Sequence, residues 1–139
     1  MSKVDFYILA KLGREEFACR IAEKAYYLGH SIYIHAASYE QALAMDKLLW
    51  TFKDGSFLPH NLWPDSTSPE VPILIGHLDN PELNRDLLIN LSHAIPNFFT
   101  TFKRIAEIVD TDENTKTLAR ERFRLYRDQG ITLESHQIS

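Results

Sequence analysis

Lys3 to Ala10 is rich in Val, Phe, Tyr and Ile, with apolar and polar positions alternating, and predicts a strand. From Arg14 to Leu28 the spacing lengthens. Phe17, Ile21, Ala25 and Leu28 recur at helical intervals, and Gly29 supplies a stop. Ser31 to Ala37 (SIYIHAA) predicts a second strand. Ser38 then stands where an N-cap belongs, with Gln41 three residues on, and the helix it opens turns Ala42, Met45, Leu48 and Leu49 inward as far as about Trp50. Strand, helix, strand and helix joined by short connections predict parallel strands and an α/β fold.

The next stretch, Thr51 to Pro69, carries Gly55, Pro59, Pro64, Pro69 and Ser-Thr-Ser at 66–68, and predicts an irregular loop. It also holds Phe52, Phe57, Leu58, Leu62 and Trp63, directly after Trp50, which is too apolar for a solvated linker. Such a loop folds back on its own domain or is covered by a partner. Val71 to Ile75 and Leu87 to Leu91 are unbroken apolar runs typical of central strands, with a turn expected at Asp79-Asn80-Pro81. Residues 96–101 fit no single element. Phe102 to Asp110 predicts a fifth strand, and a last helix should run from about Asp112 to Asp128 and stop at Gly130. Residues 131–139 read as a loosely held tail. The whole is one domain, 1–139: a three-layer α/β, Rossmann-like arrangement with a mostly parallel sheet and helices on both faces.

Composition narrows the function classes. The 139 residues are 45% hydrophobic, 12% aromatic and 24% charged, as in a folded globular chain rather than a disordered one. The lone Cys19 forms no internal bridge, which fits a reducing cytoplasm. No apolar run approaches the ~18–20 residues of a membrane span, and the first residues carry charges where a signal peptide is apolar. Lys and Arg number 15 against 19 Asp and Glu, so bulk charge argues against a dedicated nucleic-acid binder. The five glycines never cluster into a phosphate-binding loop, which removes the dinucleotide and P-loop motifs that an α/β fold invites. No nucleophile elbow or H-E-x-x-H pair is present, the six histidines are scattered, and neither a metal nor a cofactor is implied. His60, in FLPHN, reads as a donor to loop carbonyls, with catalysis as the lesser alternative.

Charge concentrates in KTLARERFRLYR, residues 116–127, which hold five basic side chains. On a helical wheel Leu118, Ala119, Leu125 and Tyr126 should face the core. Lys116, Arg120, Phe123 and Arg127 fall opposite, Arg124 flanks them, and Arg122 is the exception that projects coreward. A solvated face is the bland reading. Against it stand the nearly single sign of the stripe, with Glu121 its only interior acid, and the outward ring of Phe123. A cationic face with an exposed aromatic suits an acidic, apolar ligand: an acidic peptide ending in a hydrophobe, or a nucleic-acid single strand.

LLWTFKDGSFLPHNL, PILIG, RDLLINL, FKRIAEIVD and KTLARERFRLYRDQGI, in this order, resemble the chi subunit of bacterial DNA polymerase III holoenzyme. FLPHNL and ARERFRLYR are the most specific pieces. The resemblance implies a Rossmann-like α/β domain without catalytic activity, an accessory to the clamp loader in DNA replication. It implies two partners: the psi subunit, and the acidic C-terminal tail of single-stranded DNA-binding protein, which ends in a Phe carboxylate. The tail-binding positions carried over are Lys116, Arg120, Phe123 and Arg124, with Arg127 on the same helix face. The family often has Tyr at 123 and Lys at 124, so ring and charge are kept and a hydroxyl is lost. Trp50 and Phe57 match the psi contact. No membrane and only indirect DNA contact are implied, at a cytoplasmic, replisome-associated location. The rival reading is direct single-strand binding by the same basic helix; a nucleotide-using enzyme is the third.

Overall fold

The structure is a computed structural model that describes residues 2–55, 57–64, 71–79, 81 and 83–138. Its elements run β1 (Lys3–Leu9), α1 (Arg14–Tyr27), β2 (Ile32–His35), α2 (Tyr39–Thr51), β3 (His60–Leu62), β4 (Ile73–Gly76), β5 (Leu87–Asn90), a 3-10 turn (Phe99–Thr101), β6 (Arg104–Val109), α3 (Glu113–Asp128) and β7 (Thr132–Ile138). The strands form one seven-stranded sheet in the order β3-β4-β2-β5-β6-β1-β7, and every pairing is parallel. Central strands buried on both faces need apolar residues at every position. IYIH, ILIG and LLIN come close, apolar except for the buried polar His35 and Asn90 at the ends of β2 and β5.

Helices cover both faces. Phe17, Ala18, Ala22, Met45 and Leu49 of α1 and α2 pack with Ile32, Ile34, Ile73 and Ile89 on one side. Ala119 and Tyr126 of α3 pack with Val4, Phe6, Ile105 and Val109, and with Phe99 and Phe102, on the other. The helix ends follow local chemistry. The Ser38 hydroxyl accepts from the Gln41 amide at 3.1 Å, while the Gln41 carboxamide oxygen caps the Ala37 amide at 2.7 Å. Gly29 and Gly130 take the left-handed conformation, φ +86° and +76°, that closes α1 and α3. Gly76 answers a different need: a Cβ there would sit 2.6 Å from the Tyr33 hydroxyl.

Four expectations need correction. The loop after α2 contains β3, which extends the sheet beyond β4 to its edge. The loose tail is instead β7, paired in register with all of β1 from Lys3↔Thr132 to Leu9↔Ile138. Leu28, expected inward, is 66% exposed beyond the last turn of α1, and Leu125 of α3 is 54% exposed. Ser56 and residues 65–69 of the expected loop, Asn80 of the expected turn and Ser139 of the tail lie outside the described residues.

Candidate functional site: a pocket beside α3 and an aromatic patch beyond α2

The site on α3 begins with how that helix is anchored. Asp112 caps it, accepting from the Thr115 amide at 2.9 Å and the Thr115 hydroxyl at 3.1 Å. The face turned to the sheet is Thr115, Ala119, Arg122 and Tyr126, which is half polar. A guanidinium is buried there because Glu107 of β6 meets it. Arg122 Nε donates to Glu107 Oε1 at 3.0 Å, and Arg122 Nη1 donates to the His93 carbonyl at 3.2 Å. The second oxygen of Glu107 accepts from Asn90 at 2.9 Å and from the Tyr126 hydroxyl at 2.8 Å. Burial pushes the Glu107 carboxyl above its ordinary range, opposed by the Arg122 charge and by the hydrogen bonds from Asn90, Tyr126 and Arg122. Tyr126 is likewise raised by burial and by the neighbouring carboxylate. This network fixes the rotation of α3.

That rotation differs from the apolar wheel and makes the pocket. Phe123, expected outward, is half-buried and lies with its ring centroid 5.3 Å from that of Phe6. Between α3 and the sheet opens a pocket of about 180 Å³. Phe6 and Ile8 of β1, Val109, Ala119 and Phe123 make it apolar, while Lys116, Arg120 and Ser135 of β7 complete its wall. Lys116 and Arg120 are therefore brought together with Phe123. Arg124 and Arg127 are not; both are exposed, and Arg127 lies 3.5 Å from Asp128. Phe6, Ile8, Val109 and Ser135 were not foreseen as site residues. The β1 alternation, with Val4, Phe6 and Ile8 sharing one side, held the signal for two of them.

Trp50 at the end of α2 and Phe57 in the following loop are 48% and 70% exposed. Their rings meet edge to face at 5.3 Å. His60 packs against Trp50: its ring centroid is 4.4 Å from that of Trp50, and its nitrogens lie 2.6 Å and 3.0 Å from the carbonyls of Leu58 and Asp46. His60 thus ties down loop backbone. The Trp50–Phe57 pair is an uncharged aromatic patch of the composition that interface cores favour.

Other chemistry is limited. Among the described residues, Asp5, Glu134 and His136 are the one grouping whose ligand-type atoms lie close together. The chain's own side chains already engage it: Asp5 accepts from Arg104 and His136, and Glu134 from Lys3. Burial works to raise the Asp5 carboxyl, but the bonds from His136 and Arg104 outweigh it and hold it below its ordinary value. The Cys19 thiol, buried under α1, is pushed up to about 12 and is unreactive. No helix among the described residues is long and apolar enough to cross a membrane.

Comparison with known proteins adds family and fold. The family described as "DNA polymerase III chi subunit, HolC" matches residues 1–134. A Pseudomonas aeruginosa protein named DNA polymerase III subunit chi is 38% identical over 141 aligned residues, covering 99% of this chain and 98% of that protein. Its Haemophilus influenzae namesake is 39% identical over 137 residues, covering 96% and 95%. The Escherichia coli one is 31% identical over 122 residues, covering 87% and 83%. The crystal structure of T4 UvsW superposes with a TM-score of 0.67 at 9% identity, over 97% of this chain and 41% of the other, a likeness of fold alone.

Proposed function

The chain belongs to the family of DNA polymerase III chi subunits, and from that premise we propose that it is an adaptor binding the psi subunit through Trp50 and Phe57 and the acidic tail of single-stranded DNA-binding protein through the α3 pocket. As a chi subunit it is an accessory to DNA replication and not a catalytic subunit. The observation that carries the adaptor reading is the pocket itself. It joins an apolar floor that suits a phenyl ring to two cations, Lys116 and Arg120, that suit a terminal carboxylate. Arg124 and Arg127 lie along the same helix and meet the aspartates of the tail outside the pocket. Exposed ion pairs give only ~0–1 kcal/mol each, so the ring must supply the specificity, at roughly 1.5–3 kcal/mol for a buried aromatic.

Trp50 and Phe57 support the psi assignment by being exposed together, where an aromatic pair without charge is best covered by a partner. The experiment is a pull-down with purified single-stranded DNA-binding protein, full-length and tail-deleted. The adaptor reading requires retention of the full-length protein only. Equal retention of both forms defeats it. Retention of a bare DNA single strand, lost steeply with added salt, would turn the same face into a strand binder.

A further inference from the structure

Beside the pocket, the sheet ends in a strand edge that no strand among the described residues pairs with. β7 is the outermost strand and runs seven residues, TLESHQI, without the Pro or Lys that commonly blunt an edge, and the carboxylate of its Glu134 is paired with Lys3. The side of β7 that faces outward follows from one bond: the Ile138 carbonyl accepts from the amide of Ala10, the residue that follows β1. In a strand the N–H and C=O of one residue point the same way and alternate along the chain. Ile138, His136, Glu134 and Thr132 therefore direct their backbone groups to β1, while Leu133, Ser135 and Gln137 direct theirs to the open edge. Ser135 is also the residue of β7 that lines the pocket.

The opposite wall of this edge is cationic. At about 100° per residue Lys116, Arg120, Phe123 and Arg127 fall within roughly 60° of one another, about a quarter turn from the buried face of α3. Lys116, Arg120 and Phe123 share the pocket with Ser135, so this flank overlooks β7. Arg127, one turn further on, stands near the start of β7, because Gly130 folds the chain directly from α3 into that strand.

Resting on the tail-binding reading above, we propose that the residues of the acidic tail preceding its terminal phenylalanine add to the sheet as an eighth strand along the β7 edge. Their backbone pairs with Leu133, Ser135 and Gln137, and their carboxylates meet the α3 stripe. A tail with its last residue in the pocket and its earlier residues toward Arg127 runs parallel to β7, which continues the all-parallel sheet. Strand addition supplies backbone hydrogen bonds that tolerate sequence variation, and the pocket reads the final side chain.

The test uses the native chain and a short fluorescent peptide, acidic and ending in a free phenylalanine, followed by anisotropy. Single backbone amides of the peptide are N-methylated in turn. Losing one hydrogen bond should weaken binding roughly three- to tenfold, and only at alternate amides. On the protein side, Gln137→Pro removes an outward N–H and none of the β1 ladder, so it should weaken the peptide severalfold relative to Gln137→Ala. A flat methylation profile, together with equal affinity of the two Gln137 variants, overturns strand addition. If the peptide without its phenylalanine still binds more weakly in that case, pocket binding survives. If the intact and phenylalanine-less peptides bind alike, both readings fall.

Discussion

Arg122→Met removes the cation paired with the buried Glu107. Arg122 and Glu107 have side chains 3% and 0% exposed, and their 3.0 Å bond is part of the network that seats α3. Breaking one side of such a pair typically costs about 3–5 kcal/mol, a large share of the ~5–15 kcal/mol that holds a domain together. The loss should depend on pH, and the sign is fixed. Without Arg122, burial raises the folded-state value of Glu107 further above its ordinary 4.5. A raised folded value gives stability that is full below the unfolded value and is lost as pH rises toward the folded one, at up to about 1.4 kcal/mol per pH unit. Urea unfolding followed by circular dichroism at pH 5.5 and pH 8 should therefore show the larger deficit at pH 8. Glu107→Gln with Arg122→Met keeps acceptors for Tyr126 and Asn90 without a charge. That double variant should recover at least half the loss and most of its pH dependence. A deficit below about 1 kcal/mol at pH 8, or a double variant no better than the single one, would refute the assignment of Arg122 and Glu107 as the anchor of α3.

Three further outcomes follow from the same geometry. Arg120→Ala should weaken tail binding and flatten its salt dependence, whereas Phe123→Ala should weaken it and leave the salt dependence largely intact, measured by calorimetry at two ionic strengths. Phe57→Ala should cost at least ~2 kcal/mol in affinity for psi while the chain still folds, and undiminished co-purification would sink the patch assignment. His35, nine-tenths buried at the end of β2, is pushed down from 6.5 to about 4 by burial. It binds protons more readily unfolded, so stability should fall by up to ~3 kcal/mol as pH drops from about 6.5 to 4, and His35→Leu should flatten that part of the profile.

The central strands and the helix caps were legible because their signals are local. Ser38 with Gln41, the glycines at 29 and 130, and the apolar runs ILIG and LLIN each specify their own conformation. β3 was not legible, since three residues between Pro59 and Pro64 carry no periodicity and become a strand only through pairing with β4. β7 was hidden for the opposite reason. An edge strand buries little, so Thr132, Glu134, Ser135 and Gln137 break the alternation that marks a strand, and its partner β1 lies at the far end of the chain. An apolar wheel gives α3 the wrong tilt because it does not count a buried ion pair. The wheel turns Arg122 inward, but nothing in the sequence of β6 marks Glu107 as its partner. Their meeting turns Leu125 outward and draws Phe123 to the sheet. The two cations that line the pocket stand out in the sequence as part of a charge stripe, whereas its floor, Phe6, Ile8 and Val109, carries no such mark.

The most direct measurement is a calorimetric titration of this chain with the acidic C-terminal tail peptide of single-stranded DNA-binding protein, compared with the same peptide lacking its last phenylalanine. The pocket of Phe6, Ile8, Val109 and Phe123 beneath Lys116 and Arg120 predicts that removing the one residue weakens binding at least about tenfold, roughly 1.4 kcal/mol or more. It also predicts that the remaining affinity is largely abolished by salt. Equal affinity for the intact and shortened peptides would contradict it, leaving α3 as a basic helix with no reader of the terminal ring.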